Sequence, residues 1–356
     1  MRFVQMIVNI ITQMEAGGAQ GAAVRNSEIF NQKGCLSEVW FLYKKRDVYS
    51  NSKNVKVLLD RVPNSFVDYF FIIFKLWYWL LTKNVKSVIC YTHYANVIGA
   101  ICARFAFINN VVVSHRNPVN TYPLACRLLD KFIGNFGFYK SIIVVSQTVK
   151  NSFSSYSYRY NNRIHLIYNG IDSSKFKVKS HKKNSDIFTL VSTGRLHSQK
   201  NQLLLLKSMI DISDAKLIIA GDGELKKEFR EYINKNGLDN KVELIGELPP
   251  NKVNDFLAIG DVFLFPSNYE AFGFSVVEAM AAGLPIVASD IPAMREIVDE
   301  AGILLDKSDV LAWTLTIKSL KNNYYLRSQM ADKSVFQAKK FDLKNMSSSY
   351  LKLASS

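Results

Sequence analysis

Short uninterrupted apolar runs alternate with longer mixed stretches along the whole chain. In the first half the runs fall at 3–11, 38–42, 55–58, 87–91, 111–114, 142–145 and 164–167. In the second half they fall at 188–193, 216–220, 242–245, 262–265, 285–288 and 302–305. Continuous apolar strands separated by helices mean parallel sheets covered on both faces. Helices are expected between the strands, for example at 201–210 and 224–236. The reading is α/β, with two doubly wound domains in tandem, and 356 residues suit two domains. Asn169-Gly170-Ile171-Asp172 and the polar KVKSHKKNS that follows soon after mark a hinge near 168–185, so the boundary is set at 170/171. Two such sheets facing each other would leave a cleft at their carboxyl ends, where open α/β sheets bind ligands.

Two segments could pass for membrane or export signals. The N-terminus has one Arg, an apolar run and then AGGAQGAA, but Gln5 and Asn9 interrupt the run. A first buried strand followed by a glycine loop explains the same letters. The stretch 67–82, VDYFFIIFKLWYWLLT, is very apolar, but it is short of the roughly 20 residues a span needs and has Lys75 in its middle. It reads either as a core helix or as a helix lying in a membrane interface, with Lys83 and Lys86 on its flank.

Charge sharpens the picture. Residues 1–172 carry 20 Lys+Arg against 8 Asp+Glu, whereas 173–356 carry 25 against 22. A basic half beside a near-neutral one suggests an anionic partner for the first half; a generally Lys-rich proteome would look the same. The four cysteines, Cys35, Cys90, Cys102 and Cys126, form no CxxC and no zinc spacing, which fits free thiols in a reducing compartment.

Much familiar chemistry is absent. There is no Walker-A loop, no complete G-x-G-x-x-G (Gly221-Asp222-Gly223 comes nearest), no H-E-x-x-H, no G-x-S-x-G, no kinase set and no D-x-D. Four features remain. Gly17-Gly18 follow the first strand and open a helix, where bare N–H groups attract anions; a tight turn would look similar. Arg195 and Lys200 bracket a loop after a strand, and two cations suit a diphosphate, although two solvated charges would read the same. Glu270 and Glu278 stand eight apart around Gly273, with Ala271, Phe272, Gly273 and Phe274 at an expected helix start. Taken singly, Glu278 could be a helix-dipole acid and Glu270 a loop acid. His115 ends one strand, and His93, which ends the strand before, competes with it.

Together the string EAFGFSVVEAMAAGLPIVASD, the GRL…K loop, the NGID linker and the early GG loop resemble the family 4 retaining glycosyltransferases of GT-B fold, also called glycosyl transferases group 1. The resemblance covers nearly the whole chain. It implies two Rossmann-like domains facing a central cleft: 1–170 binding the acceptor and 171–342 binding a nucleotide sugar. A last helix, about 343–356, would cross back onto the first domain. It implies that Glu278 meets the ribose hydroxyls. Glu270 and the backbone of 271–274 would hold the sugar and phosphates, and Arg195 and Lys200 the leaving diphosphate. His115 would face the donor sugar, and Gly17 and Gly18 would lie against donor phosphates or acceptor. The expected cofactor is none, with metal-independent chemistry, and the co-substrate is a nucleotide sugar, UDP-sugar before GDP-sugar.

The basic first domain and the aromatic stretch 67–82 add an expected acceptor: a polyprenyl-diphosphate-linked glycan at the cytoplasmic face of the inner membrane, with 67–86 touching the anionic surface. That would make the chain a cytoplasmic, peripheral hexosyltransferase of O antigen, lipopolysaccharide or capsule synthesis. The rival readings are a GT-B sugar-nucleotide epimerase or phosphorylase, or a degenerate non-catalytic binding member. No base-reading motif supports a nucleic-acid partner.

Overall fold

The computed structural model describes residues 6–15, 17–178 and 187–356. Residues 3–5 of the first expected strand and most of the polar stretch 177–185 lie outside them. The chain divides into two units: residues up to Gly170 together with Leu343–Ser356, and Ile171–Asp342.

Unit 1 holds strands β1 (Met6–Met14), β2 (Ser37–Lys44), β3 (Val55–Leu59), β4 (Val85–Tyr91), β5 (Asn110–His115), β6 (Ser141–Val144) and β7 (Ile164–Leu166). Its helices are α1 (Gly18–Gln32), α2 (Phe66–Thr82), α3 (His93–Phe105), α4 (Leu124–Asn135), α5 (Gln147–Asn151) and α6 (Tyr158–Asn161). The strands pair in parallel in the order β3-β2-β1-β4-β5-β6-β7. The sheet is buried on both faces, which is why its strands read as unbroken apolar runs. Alternation along β1 sorts its side chains: Met6, Val8 and Ile10 join the core under α2 and α3, whereas Ile7 and Ile11 join the core under α1.

That second core is completed from far along the chain. Helix α14 (Leu343–Ser355, numbered after the helices of unit 2) follows all of Ile171–Asp342, yet it packs beside α1 over β4 and β5. Its Tyr350 is wholly buried and stacks on Tyr91 with ring centroids 5.9 Å apart. The Tyr350 hydroxyl is 2.9 Å from Ser114 Oγ and accepts from Arg116 at 3.4 Å, and Ser347 donates to Asn26 at 2.6 Å. Asn9, which breaks the apolar run of β1, belongs to the same network: it donates to Ser37 Oγ and accepts from the Tyr91 hydroxyl.

Unit 2 holds β8 (Phe188–Thr193), β9 (Ala215–Ala220), β10 (Val242–Gly246), β11 (Val262–Phe265), β12 (Ile286–Ser289) and β13 (Gly302–Leu305). Its helices are α7 (Leu203–Ser208), α8 (Lys226–Lys235), α9 (Val253–Ile259), α10 (Phe274–Ala281), α11 (Pro292–Val298), α12 (Val310–Asn322) and α13 (Tyr324–Ala338). The parallel order β10-β9-β8-β11-β12-β13 repeats that of unit 1.

Helix α2 divides the stretch 67–82 into a core-facing side and an exposed side. Ser65 caps it by accepting from the Asp68 N–H, and Asp68 takes a two-pronged pair from Arg61, both contacts at 2.6 Å. Asp68, Ile72, Leu76 and Leu80, four apart, face the core. The opposite face is exposed. Among the described residues, no helix is long and apolar enough to cross a membrane.

The Trp40 ring is wholly buried, edge-on to Trp79 at 5.3 Å, with its N–H donating to Glu38 at 2.7 Å. Trp40→Ala is expected to cost about 3–5 kcal/mol in urea denaturation. A loss under about 1 kcal/mol would mean that this ring is not a packed part of the core.

Candidate functional site

In each sheet the chain order reverses at one place: between β1 and β4 in unit 1, and between β8 and β11 in unit 2. The loops leaving the carboxyl ends of two such strands run off in opposite directions and leave a crevice, where doubly wound sheets take ligands. The site residues expected in the second half fall on these two loops of unit 2 and on α10.

The loop after β8 and the loop after β11 are laced together. Asn268 N–H donates to Gln199 C=O at 2.8 Å, and its side-chain amide donates to Ser198 C=O at 2.8 Å. Gln199 Nε2 returns a bond to Tyr269 C=O at 3.0 Å. Asn201, at φ 51°, donates to Pro266 C=O and Lys307 C=O, at 3.2 and 2.9 Å. Asn tolerates this left-handed conformation better than most residues. Gln199, Asn201, Asn268 and Lys307 went unnoticed in the sequence because a polar loop residue looks alike whether it binds a ligand or a neighbouring loop.

Within this frame Lys200 and Glu270 meet. Lys200 Nζ lies 2.5 Å from Glu270 Oε1, and the two side chains are only 17% and 11% exposed. The ammonium also sits 4.9 Å from the Phe265 ring centroid. Two opposite charges are therefore held together at the carboxyl edge, each able to exchange its partner for a phosphate oxygen or a hydroxyl. Arg195 is exposed on the same loop. The backbone behind it is fixed: Gln202 Nε2 donates to the carbonyls of Gly194 and Arg195, and Leu196 N–H donates to Asp222 C=O. Gly221, at φ 155°, passes so close that a Cβ there would stand 1.9 Å from Gly194 O. Gly221-Asp222-Gly223 is thus a backbone crossing rather than an incomplete dinucleotide fingerprint.

Ala271 to Phe274 lead into α10. Gly273 is its N-cap at φ 104°, a conformation that excludes ordinary side chains, and no side chain caps the helix start. Phe272 is buried against Phe274 and Phe341, which anchors this turn. Glu278 lies one turn into α10 and is half-buried. The arrangement supplies N–H donors, one paired and one exposed cation, and two carboxylates on adjoining loop and helix, a set suited to an anion bearing hydroxyls.

In unit 1, Gly17 and Gly18 are exposed at the start of α1, again without a side-chain cap or a first-turn acid. Beside them Glu15 pairs with Lys45 at 3.0 Å. Burial pushes the Glu15 carboxyl up, but bonding to Lys45 and Gln13 outweighs it and leaves the group below its ordinary value.

His115 differs from the strand-end histidine expected to face a sugar. It is wholly buried, with Nδ1 3.0 Å from the Tyr122 hydroxyl and Nε2 3.0 Å from the Tyr160 hydroxyl. Phe153 lies against the ring, and Asp130, which accepts from Tyr139 and Tyr160, lies 3.5 Å from Nε2. The chain after β5 folds back over the strand end and covers it. His93 is half-buried at the start of α3, its ring 4.9 Å from that of Tyr122. Burial pushes the Cys102 thiol up to about 12 and Cys126 up to about 11, so neither is a ready nucleophile.

The other notable surface of unit 1 is apolar. On α2, Phe66 is 95% and Phe70 72% exposed, with Phe74 and Tyr78 also open. On α4, Leu124, Leu128 and Phe132 face outward, as does Phe136 just past its end. Phe105 and Phe107 project from the end of α3, which contacts both helices. Residues 61–171 contain twelve Lys+Arg and two acids, Asp68 and Asp130, both buried. The α4 contribution escaped sequence reading because its apolar residues are spaced like those of any core-facing helix.

Burial lowers the pKa of His115, with Asp130 opposing, and that of His93, with help from His115; it also lowers His165. Between the ordinary histidine value and these depressed ones, the unfolded chain binds more protons than the folded one. Stability is therefore full above about pH 6.5 and falls as pH drops. Denaturant unfolding at pH 7 and pH 5 should show this loss, and His115→Asn should shrink it. An unchanged or larger loss in the variant would remove His115 from the account.

The chain is similar to known glycosyltransferases. The family model for Glycosyl transferases group 1 matches residues 173–335, nearly all of unit 2. The O-antigen chain mannosyltransferase RfbU of Salmonella typhimurium is 26% identical over 197 residues, 53% of this chain and 55% of that protein. The chain thus spans about half the length of this and several other curated relatives that it matches. An uncharacterised glycosyltransferase of Methanocaldococcus jannaschii is 26% identical over 322 residues, 86% of this chain and 87% of its own. The crystal structure of Anabaena HepE in complex with UDP matches with a TM-score of 0.85 at 18% identity, covering 99% of this chain and 100% of that one. The fold is GT-B, and within it residues 173–335 of unit 2 carry a glycosyl transferases group 1 domain.

Proposed function

We propose that the chain is a retaining glycosyltransferase of the family 4 type. It moves a sugar from a nucleotide donor, a UDP-sugar before a GDP-sugar, to a lipid-linked glycan in the assembly of a bacterial surface polysaccharide such as O antigen. The observation that carries the reading is the pair Lys200–Glu270, set between two laced loops beside the uncapped start of α10. The UDP held by Anabaena HepE and the name of the Salmonella relative support the donor and the pathway class.

In this reading the phosphates displace Glu270 from Lys200 and lie against Lys200, Arg195 and the N–H groups at the start of α10. Glu270, once released, accepts from sugar hydroxyls, and Glu278 accepts from the ribose. As the glycosidic C–O bond breaks, negative charge grows on the departing diphosphate. Cations and N–H groups already aimed at it lower the barrier, because they need not reorganise. The acceptor hydroxyl attacks from the same face and passes its proton to the leaving phosphate oxygen, which preserves the anomeric configuration. His115 does not touch the sugar in this scheme; it braces Tyr122 and Tyr160. The exposed apolar face of α2, within a cation-rich stretch, supports a place at the anionic cytoplasmic surface of the inner membrane.

Thermal unfolding with UDP, GDP or NAD, each with and without magnesium, tests the donor. A nucleotide at 100 times its Kd adds about 2.7 kcal/mol to the unit that binds it. UDP should raise the melting temperature and NAD should not. Lys200→Ala and Glu278→Ala should each weaken the UDP shift. No shift with UDP or GDP at several millimolar would overturn the donor assignment, and product of inverted configuration would overturn the same-face step.

A further inference from the structure

Unit 1 contains a cavity of about 460 Å³ between α2, α3 and the carboxyl ends of β1 and β2. Its floor is aliphatic: Leu42 and Ile72 are 2% and 3% exposed, and Ile98 is half-buried. Its rim is open, with Tyr69, Tyr94 and Ile73 between 42% and 50% exposed. The inner end is polar. Thr12 Oγ1 lies 2.7 Å from Thr92 Oγ1, and the Tyr43 hydroxyl donates to Gln13 at 2.6 Å. Gln13 in turn donates to Glu15, the residue paired with Lys45 near Gly17. Thr92, a non-glycine residue, is held at φ 76° between β4 and α3. Such strain persists only where the surroundings enforce it, and it gathers at functional sites.

An apolar floor leading to a few placed hydroxyls is the usual make-up of a small-molecule site and suits an amphiphile. Two features say which kind. Helix α2 supplies both the cavity wall, through Tyr69, Ile72 and Ile73, and the exposed Phe66, Phe70 and Phe74 outside it, so the cavity and the apolar face share one helix. The stretch 61–171, which supplies that face, holds twelve Lys+Arg and no exposed acid, which favours a ligand that is apolar in its tail and anionic in its head.

We propose that this cavity seats the hydrocarbon chain of the lipid-linked acceptor, just behind its anionic head group. The chain enters between α2 and α3 and lies on Leu42, Ile72 and Ile98. The head emerges at the Thr12–Tyr43 end, at the reversal point between β1 and β4. This rests on the transferase reading for the identity of the acceptor, though binding of the chain can be measured without it.

The test is thermal unfolding of the full chain with soluble single-chain probes below their micelle concentrations. The probes are farnesyl phosphate, dodecyl phosphate, inorganic phosphate and octyl glucoside. Farnesyl phosphate or dodecyl phosphate should stabilise the protein, and whichever acts at lower concentration assigns the chain as isoprenoid or straight. Inorganic phosphate and octyl glucoside should fall at least tenfold short. Ile98→Trp and Ile73→Trp, which fill the floor and the rim, should abolish the shift while keeping the far-ultraviolet circular dichroism and the probe-free unfolding of the unaltered protein, which shows that unit 1 folds in them. Phe70→Ser, on the outer face of α2, should keep the farnesyl phosphate shift and weaken binding to vesicles of phosphatidylglycerol. Equal stabilisation by octyl glucoside, or an undiminished shift in both tryptophan variants, overturns the proposal. Loss of the UDP shift in the unaltered protein instead sinks the donor reading and leaves the cavity result standing.

Discussion

A parallel sheet cannot turn back on itself with hairpins, so each strand must be followed by a crossover helix, and those helices cover both faces. Everything else in this chain follows from that burial. With β1, β4 and β5 sandwiched between α1 and α14 on one side and α2, α3 and α4 on the other, no side chain in mid-strand can reach a ligand. Chemistry is confined to the strand ends, and at those ends only to the place where successive crossovers part. Both sheets share the order that creates such a place, and both put glycine near it: Gly17 and Gly18 in unit 1, Gly194 and Gly273 in unit 2.

Within unit 2 the same constraint explains why so many polar residues are spent on structure. Two loops leaving neighbouring strands in opposite directions would flutter independently unless tied. Asn201, Gln199 and Asn268 tie them, largely through main-chain carbonyls. Lys200 and Glu270 are thereby presented with little freedom left to lose on meeting a ligand. An ion pair this shielded is only a modest contributor to folding once desolvation is counted, so stability alone does not account for its placement.

Strand positions were legible because burial on both faces writes a strand as a continuous apolar word. Phe188–Thr193, Val262–Phe265 and Gly302–Leu305 fall where the pattern put them, and β1 merely runs to Met14 instead of stopping at Ile11. The conjunction of Lys200 and Glu270 was less visible, because it depends on lacing by residues 70 positions apart. His115 shows the limit most clearly. A histidine at a strand end reads the same whether the following chain leaves it open or, as here, folds Tyr122, Phe153 and Tyr160 over it. Helix α4 shows the converse. Its leucines and phenylalanines match the spacing of a core helix, and only the helix orientation reveals that several of them point outward.

The position of α14 has a consequence for how the protein is made. Unit 1 is discontinuous: its first 170 residues are synthesised first, but Tyr350 and Ser347, which close the core over Tyr91 and Asn26, emerge only after the whole of unit 2 has left the ribosome. Domains usually mature in the order of their synthesis. Here the later unit can complete its core before the earlier one, and until α14 arrives the sheet stays open beside α1, over β4 and β5. A nascent chain of this design carries an open apolar groove while the whole of unit 2 is translated, so its dependence on holding chaperones should be greater than that of a protein whose two sheets each close in sequence.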